Sequence, residues 1–251
     1  VGLTVAVCSG KGGVGKTFSA VNLAHAISLT DQKVLLVDAD MGLANAQLMT
    51  GVSPSFTVSD YLSGAASLDS VITEVRPNFF LLPGSSGDSK LANLGLETIN
   101  TLFQEIDRSF AEHLIIFDVA AGISEQTMLL VRLSKIKLVV FLDEPSSIAD
   151  SYGVLKLLKR TNDLKDTFLI PNQVPSLGSG RNFFEQMNNL CMTFLDLPVG
   201  HLGSIVLDES VKIAVRKRQL LSEAFPRSLA WGNINSLSKA LISHSESLED
   251  K

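Results

Sequence analysis

The chain has 251 residues, 45% of them apolar and 19% charged, a mixture too rich in core-forming side chains and too poor in charge for a disordered protein. Twenty-one Lys and Arg against 26 Asp and Glu give a net charge of −5, which excludes a globally basic nucleic-acid protein but leaves room for a local basic patch. The two cysteines, Cys8 and Cys191, make neither a disulfide framework nor a metal-ligand cluster and point to a reducing, cytosolic setting.

No uncharged apolar run reaches the roughly 18 residues of a membrane span, and no signal-peptide pattern stands at the start. The chain therefore reads as soluble. It opens at Val1, inside a strand-like run and without a Met, as expected of a sequence with further native residues upstream. In chain order, short apolar runs predict strands over 3–8, 33–38, 79–82, 113–118, 137–142, 167–172 and 199–205. Between them, helical periodicity covers 17–29, 96–110, 125–133, 148–160, 180–195, 209–218 and 227–244. This alternation predicts a doubly wound α/β fold, a mostly parallel sheet with helices on both faces, in one domain over 1–251. The polar, acidic tail over 243–251 is expected to fray.

The first strand runs into Ser9-Gly10-Lys11-Gly12-Gly13-Val14-Gly15-Lys16-Thr17 and then a helix, which is G-x-x-x-x-G-K-[ST] in its strand, loop, helix context. Gly10, Gly12, Gly13 and Gly15 let the backbone bend round phosphate oxygens, and the helix N-terminus adds its positive dipole end. Lys16 is then placed for the β and γ phosphates, and Thr17 for Mg²⁺. Two carboxylates, Asp38 and Asp40, leave the second strand at the same carboxyl edge, where doubly wound folds place their ligands. Read without context, they are also the pattern of a helix cap before 43–49. The run Leu114-Ile115-Ile116-Phe117-Asp118 is a Walker B pattern that would hold Mg²⁺ directly or through water.

Lys11 makes the resemblance specific, because K-G-G-V-G-K-T resembles the deviant Walker A of the MinD/ParA family of ATPases, P-loop NTPases of the SIMIBI type. The resemblance implies ATP/ADP and Mg²⁺ as cofactors, and an ATP-dependent homodimer in which Lys11 contacts nucleotide held by the partner subunit. It makes the segment from Asp38 to Asn45 the first switch, giving Asp40 the attacking water and Asp38 the support of the Mg²⁺ and phosphate site. Ala120-Ala121-Gly122 resembles the second switch, whose glycine N–H (here Gly122) contacts the γ-phosphate, although Val119 replaces the usual polar residue. Asn172 resembles the adenine-contacting Asn; as a bare sequence feature it is equally an Asn in a turn beside Pro171 and Pro175. The family's I-P-x-D reads Ile205-Val206-Leu207-Asp208 here, which loosens the assignment of adenine.

Within the family the chain is most similar to the flagellar-number regulators FlhG and FleN, through Asp38-Ala39-Asp40-Met41-Gly42-Leu43-Ala44-Asn45, Asp118-Val119-Ala120-Ala121-Gly122-Ile123 and Asp143-Glu144-Pro145-Ser146-Ser147-Ile148-Ala149-Asp150. That resemblance implies an FlhF-type GTPase and a flagellar transcription regulator as partners, in the bacterial cytoplasm with transient visits to the membrane or cell pole. MinD-like membrane placement and ParA-like DNA scaffolding are the alternatives. Lys212, Arg216, Lys217 and Arg218 form a basic cluster read first as a solvated helix face, with DNA phosphates, acidic lipid or an acidic partner as other ligands. Trp231, Ile234, Leu237 and Leu241 fall at helical spacing, a stripe expected to pack on the domain rather than enter a membrane, since its polar face has Lys239 as the one cation. His25, His113, His201 and His244 share no metal-ligand spacing.

Overall fold

The computed structural model describes residues 2–40, 44–85, 94–161 and 163–249. Among them nine strands form one sheet: β1 (Leu3–Cys8), β2 (Val34–Ala39), β3 (Thr73–Arg76), β4 (Phe79–Leu82), β5 (Leu114–Val119), β6 (Ile136–Phe141), β7 (Thr167–Val174), β8 (Gly200–His201) and β9 (Ile205–Val206). The order is β3-β4-β2-β5-β1-β6-β7-β8, with β9 beside β7, and every pairing except β3 with β4 is parallel. β1 lies at the centre, with β2, β4 and β5 to one side and β6 and β7 to the other, so the loop after β1 emerges where the winding reverses.

Eleven helices are described: α1 (Lys16–Ser28), α2 (Ala46–Thr50), α3 (Val58–Leu62), α4 (Leu68–Val71), α5 (Leu96–Ser109), α6 (Glu125–Leu133), α7 (Pro145–Arg160), α8 (Leu177–Leu195), α9 (Glu209–Lys217), α10 (Leu221–Ala224) and α11 (Leu229–Glu249). Side chains of α5 through α8 pack with Ala6, Leu35, Ile115 and Val139 on one face of the sheet. Those of α1 and α11 pack with Val5, Leu36, Ile116 and Leu138 on the other. The alternation of neighbouring residues between two apolar clusters is what buries β1, β2, β5 and β6 on both faces.

Four expectations change. The single strand over 199–205 is two short strands, β8 and β9, because Gly203 at φ 152° breaks the run. The seven strands become nine with β3, an antiparallel edge strand whose residues alternate Thr, Glu, Val, Arg and show no apolar run. Two helices start earlier than periodicity suggests, α7 at Pro145 and α8 at Leu177, since their first turns, Pro-Ser-Ser and Leu-Gly-Ser, add no buried apolar residue at helical spacing. The last helix continues past Ser243 to Glu249, held by His244, which pairs with Asp166 at 3.1 Å and packs edge-on against Phe168. The remainder of the tail lies outside the described residues, as does 41–43 of the first switch.

Trp231, Ile234, Leu237 and Leu241 are all buried against the α1 face, as expected of a packed stripe. Burial of each is worth about 1.5–3 kcal/mol, which a bilayer would have to repay before this helix could leave. Among the described residues no helix is long and apolar enough to cross a membrane. Both thiols are buried, and burial pushes Cys8 up to about 12 and Cys191 up to about 11, so neither is a thiolate nucleophile.

His25 joins the two ends of this face. It lies in α1 between the rings of Phe79 and Trp231, with Nδ1 3.0 Å from Ser222 Oγ. Burial holds its pKa below the usual 6.5, against the pull of Glu223. The unfolded chain therefore takes up a proton that folded His25 refuses, and stability falls as pH drops from 6.5 toward the depressed native value. The buried carboxyls of Asp38 and Asp118, raised in the native state, act in the opposite sense and cancel when parent and variant are compared. The stability of His25→Gln relative to the parent should rise as urea midpoints are taken from pH 7 to pH 5; a pH-independent difference would remove His25 from this account.

Candidate nucleotide-binding site

The loop over 9–15 is braced from behind and open on one side. Gly122 N–H donates to Ser9 O at 2.9 Å, and Ser9 Oγ donates to Lys11 O at 3.0 Å. A Cβ on Gly10 would lie 2.2 Å from the carbonyl carbon of Asp150, so only glycine lets the loop lie against α7. Gly15, at φ 90°, starts α1 in the left-handed region, and a Cβ there would strike Asn172 Nδ2 at 2.3 Å. A Cβ on Gly12 or Gly13 would meet nothing within 4 Å, so these two line the open side, where a phosphate would sit.

Inside the cradle Lys16 is buried, with Nζ 2.6 Å from Asp118 Oδ1. The Thr17 hydroxyl stands near enough to Asp118 to favour its ionised form. Burial raises the Asp118 pKa, and Lys16 and Thr17 only partly offset it. β2 and β5 pair in register at Asp38 and Asp118, which sets the two carboxylates side by side. Burial and the neighbouring Asp118 push Asp38 up to about 7. Asp38 Oδ2 accepts the Ala46 N–H at 2.9 Å and Oδ1 accepts the Asp40 N–H at 3.4 Å, so Asp38 ties Asp40 to the start of α2, as the helix-cap reading of the sequence expects. Asp118 Oδ2, by contrast, is buried with no hydrogen-bond partner. A cation between Asp118 and Thr17 would satisfy that orphaned oxygen, and hard oxygen donors of this kind suit Mg²⁺.

Lys11 lies on the rim, away from the cradle. Its Nζ donates to Glu144 Oε2 at 2.9 Å and to Ser146 Oγ at 3.0 Å, at the start of α7. Both partners belong to the stretch 143–150 that carries the resemblance to FlhG and FleN, but the sequence assigned neither of them to Lys11. Gly122 has its N–H committed to Ser9 O, so a γ-phosphate could take it only by displacing that bond. Asp40 lines the phosphate cleft with Ser9, Gly12, Gly13, Lys16, Thr17, Asn45, Met49 and Ala121. The opposite wall is α9, through Val211, Lys212, Val215 and Arg216, so half of the basic cluster faces the cleft instead of forming only a solvated face.

Asn172 is buried. Its Nδ2 donates to Val14 O at 2.7 Å and its Oδ1 accepts the Gln173 N–H at 2.9 Å, so it braces the P-loop while bordering an adjoining pocket. That pocket, about 90 Å³, is lined by Gly15, Phe18, Asn172, Gln173, Ile205, Val206, Leu207, Asp208, Val211 and Lys212, a largely apolar wall with two amides beside the phosphate cleft. The missing proline has a physical reason: the Val206 N–H donates to Asn233 Oδ1 of α11 at 3.1 Å, a bond proline cannot make.

The family described as the CobQ/CobB/MinD/ParA nucleotide binding domain matches residues 5–221. Antiactivator FleN of Pseudomonas aeruginosa is 37% identical over 227 residues, 90% of this chain and 81% of that protein. Flagellum site-determining protein YlxH of Helicobacter pylori is 32% identical over 244 residues, 96% of this chain and 82% of that protein. The fold superposes on the septum site-determining protein MinD of Pyrococcus horikoshii, solved with Mg-ADP, with a TM-score of 0.81 at 23% identity, covering 96% of each chain. The chain belongs to the CobQ/CobB/MinD/ParA nucleotide-binding family, in the branch it shares with FleN and YlxH.

Proposed function

We propose that this chain, as one ATPase domain, is a slow, Mg²⁺-dependent ATP switch that dimerises on ATP and controls flagellar number or placement. The observation that carries the reading is the placement of two loop lysines, Lys16 inside the cradle against Asp118 and Lys11 outside it on the rim. Lys16 serves the nucleotide of its own subunit. Lys11 is free to serve another, because its pair with Glu144 is half-exposed on both sides and such pairs are worth only about 0–1 kcal/mol. A partner's phosphates would outbid that contact, giving the ATP state the differential affinity that a switch needs. FleN and YlxH support the flagellar output, with an FlhF-type GTPase and a flagellar transcription regulator as readers of the dimer.

Mg²⁺ held by Thr17 and Asp118 would neutralise charge on the phosphates. Asp38 holds the switch loop against this site, and Asp40 accepts a proton from the attacking water and orients it. The backbone over 9–15 and Lys16 fix the polyphosphate, so hydrolysis rests on positioning and charge stabilisation. Light scattering tests the switch: the parent should double its mass with Mg-ATP but not with Mg-ADP, while Lys11→Ala should stay monomeric in both. Equal dimerisation of Lys11→Ala and parent would sink the cross-subunit role.

A further inference from the structure

We infer that Arg216, with Lys212 one turn before it, is a nucleotide-binding residue, a second cationic wall that grips the polyphosphate from the side the P-loop leaves open. The inference rests on the ATP reading above and adds residues that lie outside every motif supporting it. Both side chains line the cleft that contains Gly12, Gly13, Lys16 and Thr17. The spacing of four along α9 puts them on one helix face, with Val211 and Val215 beside them.

That face is held in place. Asp208 Oδ1 caps α9 by accepting the Ser210 N–H at 2.9 Å, and its Oδ2 accepts the Ala230 N–H of α11 at 3.2 Å. Ala214 is buried beneath the helix. After the helix, the Leu221 N–H donates to Asn22 Oδ1 of α1, the helix that carries the P-loop, at 3.0 Å. At the far end a Cβ on Gly51, at the close of α2, would come within 2.8 Å of Arg218 O, so α9 abuts the segment behind the first switch. The wall therefore keeps a fixed distance from the cradle.

The charges argue for an anion between the walls. Lys16 is already matched by Asp118, and Lys212 is loosely matched by Glu209 at 2.8 Å with both side chains mostly exposed. Among the described residues Arg216 has no ion-pair partner. A guanidinium offers planar, two-pronged donation to phosphate oxygens, which suits this position better than a role in water. Lys217 and Arg218 lie on the same short segment, carry the same charge and do not line the cleft, so they form an internal control.

Titration calorimetry with ATP and with ADP, at low and moderate salt, tests this on the parent, Arg216→Gln, Lys212→Gln and Lys217→Gln. Glutamine keeps helix propensity and most of the side-chain length. Arg216→Gln should bind ATP about tenfold more weakly, the loss of one charge-assisted contact, with a shallower salt dependence. Lys212→Gln should weaken binding by less, and Lys217→Gln should match the parent. A parent that binds ATP while Arg216→Gln behaves like Lys217→Gln overturns this inference alone. A parent that binds neither nucleotide overturns the ATP reading and this inference with it.

Discussion

Lys16→Met will bind ATP roughly 10²- to 10⁴-fold more weakly than the parent, the loss expected from two charge-assisted hydrogen bonds at about 1.5–3 kcal/mol each. The ammonium is buried at the floor of the cradle, where water cannot substitute for it. Its removal has a second effect, because Asp118 then loses its partner at 2.6 Å. Breaking a buried pair from one side costs about 3–5 kcal/mol when the remaining charge stays ionised. The Asp118 carboxyl, already raised by burial, escapes most of that by taking a proton. The variant should therefore fold, with a lowered melting temperature, and circular dichroism beside calorimetry separates the two losses. ATP affinity within tenfold of the parent would show that Lys16 is not the phosphate lysine.

Asp40→Ala should do the reverse, sparing binding and removing turnover. Asp40 lies at the cleft wall just beyond β2, and general-base assistance is worth about 10²–10⁴ in rate. Phosphate release should fall by that factor while ATP affinity changes by no more than a few-fold. The ATP dimer should consequently outlast that of the parent in light scattering. Turnover within tenfold of the parent would place the water elsewhere.

Much of this site is legible in the sequence, and the reasons are local. The P-loop pattern over 9–17 is one unbroken run of sequence, and β1, β2 and β5 are apolar runs, the last two carrying Asp38 and Asp118 next to their final residues. β3 was missed because an edge strand of alternating Thr, Glu, Val and Arg has no apolar run to betray it. The four- and five-residue helices α2, α3 and α4 are too short to show a full period. Partners of the loop were hidden by distance along the chain: Glu144 stands 133 residues from Lys11, and Val14 stands 158 from Asn172. The basic cluster on α9 was visible as composition, but a cation over a cleft and a cation in water have the same sequence. Only the fold, which turns Arg216 but not Lys217 toward the cleft, separates the two.

The bracing of the P-loop by Ser9, Gly10, Gly122 and Asn172 also fixes when its entropy is lost. Ordering a residue's backbone costs about 1–2 kcal/mol, and here that cost falls on folding instead of on ligand capture. A nucleotide would meet a cradle that is already ordered, so its affinity would reflect contacts with little deducted for loop closure. Damage at Gly10, where a Cβ would push the loop off α7, would consequently weaken binding through the shape of the cradle alone.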